Sequence, residues 1–206
     1  MRVRVGVGAV VWMGIVAGAA LWRGMLSGDP VGELVSLPAV TAAAFLHEMG
    51  HILAARVVGV RVRGLGLALF GARLRLEGIL SYGQEWLVAA GGPLVGFLTG
   101  GAALLAWQRW GGDPYGGLSL FGAASIVLGV VNLLPVRTLD GGRMLACGLA
   151  LVGGERCASA VLAVTTGLCL GGMWLVAVYA LLRMESLLSL FVFSLCLLLR
   201  CVTGEL

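Results

Sequence analysis

Apolar residues run along this chain in six long stretches, 5–22, 36–58, 86–107, 118–151, 158–182 and 187–199, with most charges in the short segments between them. A helix crossing a bilayer needs about 20 mostly apolar residues, so the pattern predicts an all-α polytopic membrane protein with about six transmembrane helices. Pro135 interrupts the fourth stretch and the sixth is short, which leaves five spans as the other count. Ser36 can cap the second helix, with Pro38 in its first turn, where a missing N–H costs nothing. Asp29-Pro30 and Asp113-Pro114 mark turns between spans. Between the second and third stretches the period changes. Val60-Arg61-Val62-Arg63 alternates, 64–71 is apolar and glycine-bearing, and Arg73-Leu74-Arg75-Leu76-Glu77 alternates again. Period two on both sides of a flexible stretch suggests a β-hairpin at the membrane surface, the alternative being an irregular amphipathic loop.

Composition agrees with that class, because 60% of the residues are hydrophobic and 12% charged, with a mean hydropathy of +1.03. Such values do not suit a water-soluble globular domain. Every one of the 14 basic residues is an arginine. With a cytoplasmic N-terminus, six spans put nine of them inside (Arg2, Arg4, Arg56, Arg61, Arg63, Arg73, Arg75, Arg156, Arg200) against three outside (Arg23, Arg109, Arg183), the excess expected of inner loops. Arg137 and Arg143, in the fourth stretch, are left out of that comparison. The arginines flank spans and form no basic patch interleaved with aromatics, so the sequence gives no sign of direct nucleic-acid binding. Arg2 and Arg4 before an apolar run also resemble the start of a signal peptide, but the run is long for one and is expected to stay as the first helix. The five cysteines lack CxxC spacing and read as small buried hydrophobes. The 34 glycines point to close helix packing. Residues 1–206 are expected to form a single transmembrane domain.

The chemistry is concentrated in His47-Glu48-Met49-Gly50-His51, which contains both histidines of the chain and lies inside the second apolar stretch. On a helix, histidines at i and i+4 share a face and can turn one ring nitrogen each toward a Zn²⁺, while Glu48 can serve as general base. An accidental match with two structural histidines is the competing reading. Ionisable groups at membrane depth are costly, however, and usually line a bundle interior or wet cavity where they serve a function. A hydrolytic zinc normally takes three protein ligands. Of the three aspartates, Asp29 and Asp113 sit in expected turns, whereas Asp140 falls within the fourth apolar stretch, after Asn132-Leu133-Leu134-Pro135. Asp140 is the natural third ligand, with Pro135 breaking the helix before it and Gly141-Gly142 freeing the backbone after it. Otherwise it is an aspartate that caps the next helix.

Together the two motifs resemble the site-2 protease family of intramembrane zinc metalloproteases, in which an HExxH helix and a distant LDG-type aspartate bind one zinc. The resemblance covers 36–151 and implies His47 and His51 as ligands, Glu48 as the catalytic glutamate and Asp140, in Leu139-Asp140-Gly141, as the third ligand. The Asn132–Pro135 lead-in, the motif on the second of six expected spans and the lack of an inserted PDZ domain look most like the stage IV sporulation FB branch. Members of that branch release a membrane-tethered pro-sigma factor, which would be a substrate in the bacterial cytoplasmic membrane. The chain departs from that pattern at Thr138, where the family often has proline, and at Gly96, where an asparagine often follows the Gly-Pro seen here as Gly92-Pro93. No nucleotide-sensing CBS domain is expected within 1–206. These departures bear on substrate and regulation, and the zinc chemistry is independent of them.

The expected reaction is hydrolysis of a peptide bond in or near a membrane-tethered segment, with Glu48 taking a proton from a zinc-activated water and returning it to the leaving nitrogen. Asn132 is a candidate for holding substrate backbone or the oxyanion, or else for a hydrogen bond between helices. An extended substrate could add to a strand edge within 60–76. The rival class, a non-catalytic metal-binding membrane adaptor or transporter, would use the histidines and Asp140 but have no need of Glu48.

Overall fold

The computed structural model describes residues 2–5, 30–68, 71–112, 116–183 and 201. They form strands β1 (Arg2–Val5), β2 (Val62–Ala68) and β3 (Gly71–Leu76), and helices α1 (Pro30–Val57), α2 (Tyr82–Trp110), α3 (Gly117–Asn132) and α4 (Asp140–Arg183). The chain divides into two compact units, Met1–Leu80 with Ala90–Val131, and Ser81–Ala89 with Asn132–Leu206.

In the first unit, α1 begins at Pro30, so the expected start at Ser36 is too late and Pro38 lies inside the helix. A proline fits the first helical position because its N–H would be unsatisfied there in any case. Farther in, Pro38 leaves the Leu34 carbonyl without its helical donor. The helix ends in a Schellman turn: Val60 N–H donates to Ala55 O at 2.8 Å and Gly59 N–H to Arg56 O at 3.1 Å, with Gly59 at φ +77°. That left-handed conformation suits glycine.

The expected hairpin is present and larger than predicted. β2 runs through the glycine-bearing stretch expected to be flexible, and pairs antiparallel with β3 from Val62↔Leu76 to Ala68↔Gly71, with an irregularity between Val62 and Gly64. Arg63, at that irregularity, reaches Glu77 Oε1 at 2.9 Å. On its other side β2 pairs in parallel with β1, Arg2↔Gly64 to Val5↔Leu67. The sheet order β1-β2-β3 therefore makes β2 the central strand. Residues 2–5 are strand, and the rest of the first expected span, like the sixth, lies outside the described residues.

Helices α2 and α3 pack antiparallel where glycines of each face side chains of the other. A Cβ on Gly100 would lie 2.8 Å from Ser125 Cβ, one on Gly122 2.7 Å from Leu104 Cγ, and one on Gly129 3.0 Å from Phe97 Cε1. Small residues that let helices approach closely are how helices associate where burial from water supplies no driving force.

In the second unit, α2 starts four residues before the expected span because Ser81 and Gln84 form a capping box. Ser81 N–H donates to Gln84 Oε1 at 3.0 Å and Gln84 N–H to Ser81 Oγ at 3.3 Å. The Tyr82 hydroxyl donates to the Glu155 carboxylate. The break expected at Pro135 occupies 133–139, and α4 then runs to Arg183 with one non-helical residue, Gly154 at φ 78°, ψ 169°. The fourth and fifth expected spans thus meet at Gly154, a position whose positive φ favours glycine. Beyond it α4 buries Ala158, Leu162, Thr166 and Leu170, one face at a spacing of four.

Two helical segments, Tyr82–Trp110 and Asp140–Val176, are long and apolar enough to cross a bilayer; six such spans are not found among the described residues. The exposed side chains include Phe45, Leu94, Leu98, Leu105, Leu168 and Leu175, apolar surface on the scale that marks a membrane or partner contact. The described cysteines are free. Cys147 is buried as expected, whereas Cys157 is exposed.

Candidate metal centre

The buried face of α1 is a spacing-of-four series: Ala39, Ala43, His47, His51 and Ala55 are each 7% exposed or less. An α-helix repeats every 3.6 residues, so this series forms one face inclined to the axis. The histidines thus occupy the inward-facing positions that alanines fill above and below them. The two rings meet nearly edge-on, with centroids 5.0 Å apart and planes at 83°. Glu48 is half-buried on the same turn.

Within the first unit, α2 approaches the histidines through backbone. A Cβ on Gly50 would lie 2.8 Å from the Gly91 carbonyl carbon and 3.0 Å from Gly92 Cα, and one on Gly91 would lie 2.6 Å from Ala54 Cβ. A Cβ on Gly92 would lie 2.7 Å from His47 Nε2, 2.5 Å from His51 Cε1 and closer still to His51 Nε2. The missing side chain of Gly92 is therefore what leaves space beside both Nε2 atoms. Two buried imidazoles turned toward one such space fit a zinc-type ion, for which neutral imidazole nitrogen is a preferred ligand. Gly96, one turn on, also faces this region: a Cβ there would lie 3.8 Å from His47 Nδ1 and 3.4 Å from Ser125 O. Position 96, expected to bear on substrate and regulation alone, thus lies against a candidate ligand.

Asp140 belongs to the second unit and is the first residue of α4, 8% exposed. The segment before it is held rather than loose. Val136 is fully buried in a cluster with Leu139 and Leu170, Val136 N–H donates to Leu134 O at 2.7 Å and Leu139 N–H to Val136 O at 2.9 Å, and Arg137 N–H donates to Thr166 Oγ1 at 3.0 Å. Gly141 and Gly142 play a different part from the one expected. Both are helical and buried. A Cβ on Gly141 would lie 2.7 Å from Leu134 O, and one on Gly142 2.5 Å from the Val136 carbonyl carbon and 3.0 Å from Arg137 N. They let the first turn of α4 lie on the segment that precedes it. The carboxylate at that helix start is also favoured by the macrodipole.

One charge stands beside it in the same unit and a second beside that one: Arg143 Nη1 is 4.0 Å from Asp140 Oδ1, and Arg143 Nη2 is 3.5 Å from Glu85 Oε1. An apolar cavity of about 450 Å³, lined by Trp86, Leu133, Pro135, Gly141, Met144 and Leu149 among others, opens next to Gly141. Asn132, the candidate for substrate contact, is the last residue of α3 and half-buried.

The structure thus pairs His47, Glu48 and His51 on one turn and gives Asp140 a buried helix start. Sequence reasoning missed Gly92 and Arg143. Gly92-Pro93 was visible as a motif, and Arg143 lies at i+3 from Asp140, a spacing that places two residues on one helix face.

No family model matches the chain. A zinc metalloprotease of Methanocaldococcus jannaschii is 33% identical over 104 residues, which cover 48% of this chain and 30% of that protein. A protein of Synechocystis sp., provisionally named a zinc metalloprotease, is 33% identical over 118 residues, 54% of this chain and 30% of its own. The chain therefore spans under a third of the length of these two relatives. Among solved structures, the site-2 protease from Methanocaldococcus jannaschii superposes with a TM-score of 0.70 at 23% identity, covering 95% of this chain and 86% of that one. The chain shares that fold.

Proposed function

We propose that this chain is an intramembrane zinc metalloprotease of the site-2 protease family, hydrolysing a peptide bond in a membrane-tethered protein segment. The observation that carries the proposal is the pair of buried histidines with Nε2 atoms turned toward the space left by Gly92, next to a half-buried glutamate. The zinc metalloproteases among its relatives and the shared site-2 protease fold support the same reading.

His47, His51 and Asp140 would hold the zinc; all three are buried, and each offers one ligand atom. Zinc, when bound, supplies a Lewis acid that activates water and polarises the scissile carbonyl. Glu48 would take a proton from the attacking water and deliver it to the leaving amide nitrogen. Burial of both imidazoles excludes bulk water from the ligand face, which strengthens the electrostatic interactions that position the reactants. Asn132 offers an amide for substrate backbone. A metal-binding adaptor would need the three ligands alone, so the glutamate between the histidines favours the enzyme.

A finer reading rests on sequence. The Asn132–Pro135 lead-in favours the stage IV sporulation FB branch, with a membrane-tethered pro-sigma factor as substrate and an N-terminus in the bacterial cytoplasm. Purified protein incubated with a membrane-tethered substrate should cleave it and stop when zinc is chelated. It should contain about one zinc per chain, as a catalytic site implies. Cleavage that continues in apo protein would exclude the mechanism.

A further inference from the structure

We infer that Arg143, held by Glu85, is a positioning residue that orients the Asp140 carboxylate for metal binding; this rests on the zinc reading above. Asp140 and Arg143 are i and i+3 on α4, with Arg143 Nη1 4.0 Å from Asp140 Oδ1. The opposite Nη of the guanidinium is 3.5 Å from Glu85 Oε1, on the first turn of α2. One arginine therefore stands between two carboxylates.

The arrangement solves a problem that a two-member pair would leave. A metal-ligating carboxylate is usually held by an outer partner, because a freely rotating group loses orientation and affinity, and Arg143 stands at ion-pair distance from Asp140 Oδ1. Arginine suits the task, since its planar fork presents several donors in fixed directions. A guanidinium beside Asp140 alone would compete with the cation for the same charge. Glu85 draws the other end of the fork, and the trio keeps a net negative charge. The side chains grade in exposure from 11% at Asp140 to 40% at Arg143 and 38% at Glu85. The buried member is the proposed ligand, and its partners lie in the more polarisable surroundings where charge is less costly.

The sign of the effect separates this role from simple electrostatics. If Arg143 acts only as a nearby positive charge, removing it should strengthen zinc binding. If it orients Asp140, removing it should weaken zinc binding by about 10- to 100-fold, the usual cost of losing an outer partner. The test is chelator-competition measurement of zinc affinity on full-length protein with Arg143→Met, Arg143→Lys, Glu85→Gln and Asp140→Asn, beside thermal unfolding of the same proteins without zinc. The expected result is weaker binding in Arg143→Met, partial recovery in Arg143→Lys, and a loss of about tenfold in the near-isosteric Glu85→Gln. Wild-type or tighter affinity in Arg143→Met while Asp140→Asn loses zinc overturns the positioning role and leaves the zinc reading standing. Should Arg143→Met fail to fold, unchanged affinity in Glu85→Gln overturns the clamp. Zinc retained in Asp140→Asn would overturn both the role and the ligand assignment. A merely structural Arg143 would lower the unfolding temperature and leave the affinity of the folded protein unmoved.

Discussion

His47 and His51 stand midway along a helix, whereas Asp140 stands at the first turn of one, and the chain fixes the two kinds of candidate ligand differently. The histidines are aimed by helical periodicity: any regular helix through 47–51 puts them on one face, and the alanines at 39, 43 and 55 extend that face. Nothing of the kind aims Asp140. Its position follows from Val136 buried against Leu139 and Leu170, from the Arg137 N–H bond to Thr166, and from two glycines that let α4 lie on the preceding segment. Both regions depend on a missing Cβ, but for opposite reasons. Gly92 leaves room for something beside the imidazoles, while Gly141 and Gly142 leave no room at all. The aim of a candidate ligand within a helix therefore survives as long as the helix forms, although the space beside it does not, and the aim of one at a helix start depends on each contact of its loop.

The largest expected effect leaves both regions intact. Glu48→Gln should keep zinc and fold yet lose about 10²- to 10⁴-fold in cleavage, the range for a removed general acid-base. Cleavage by that variant at the wild-type rate would take Glu48 out of the mechanism.

Gly92→Ala should abolish zinc binding, since its Cβ would lie within 2.7 Å of His47 Nε2 and nearer His51 Nε2. Gly101→Ala, which meets nothing within 4 Å, should bind normally. Equal zinc in the two alanine variants would show that the space beside the rings is not the metal site.

On the Asp140 side, Gly141→Ala or Gly142→Ala should destabilise by about 1–3 kcal/mol, the usual cost of overpacking, and lower zinc occupancy by shifting the carboxylate. Gly148→Ala on the same helix meets nothing within 4 Å and should do neither. Denaturation in detergent and metal analysis would read both effects, and indifference to all three substitutions would remove the contrast between helix-aimed and loop-aimed donors.

The smallest and most local effect concerns the sheet. β2 is central, so its N–H groups are engaged by β1 and β3, and among the described residues only β3 within 60–76 presents an edge on which substrate could pair. Proline at alternate positions of β3 should reduce cleavage at unchanged zinc content, with alanine at the same sites better tolerated. Proline within β2 should disrupt the sheet itself. Uniform tolerance across β3 would show that substrate is not held there as a strand.

Sequence alone determined whatever depends on neighbours within a turn or a pleat: the shared face of His47 and His51 with Glu48 beside them and the helix break at Pro135; it pointed to a hairpin between 60 and 77 without placing the paired stretch, which runs through 64–68. It located α1 less well, because Ser36-Leu37-Pro38 looks like a helix start and Pro30 is the better one. It did not foresee the capping box at Ser81, although Ser81 and Gln84 stand at the right spacing. Tertiary structure decided the rest. β1 reaches β2 across about sixty residues of sequence, Glu85 reaches Arg143 across 58, the need for glycine at 92 comes from rings that approach from elsewhere in the fold, and the need for it at 141 and 142 comes from the way the preceding segment folds back on α4. Local periodicity follows from the dihedral preferences of adjacent residues and can be read along the chain, whereas a close approach between distant segments exists only once packing has chosen which surfaces meet.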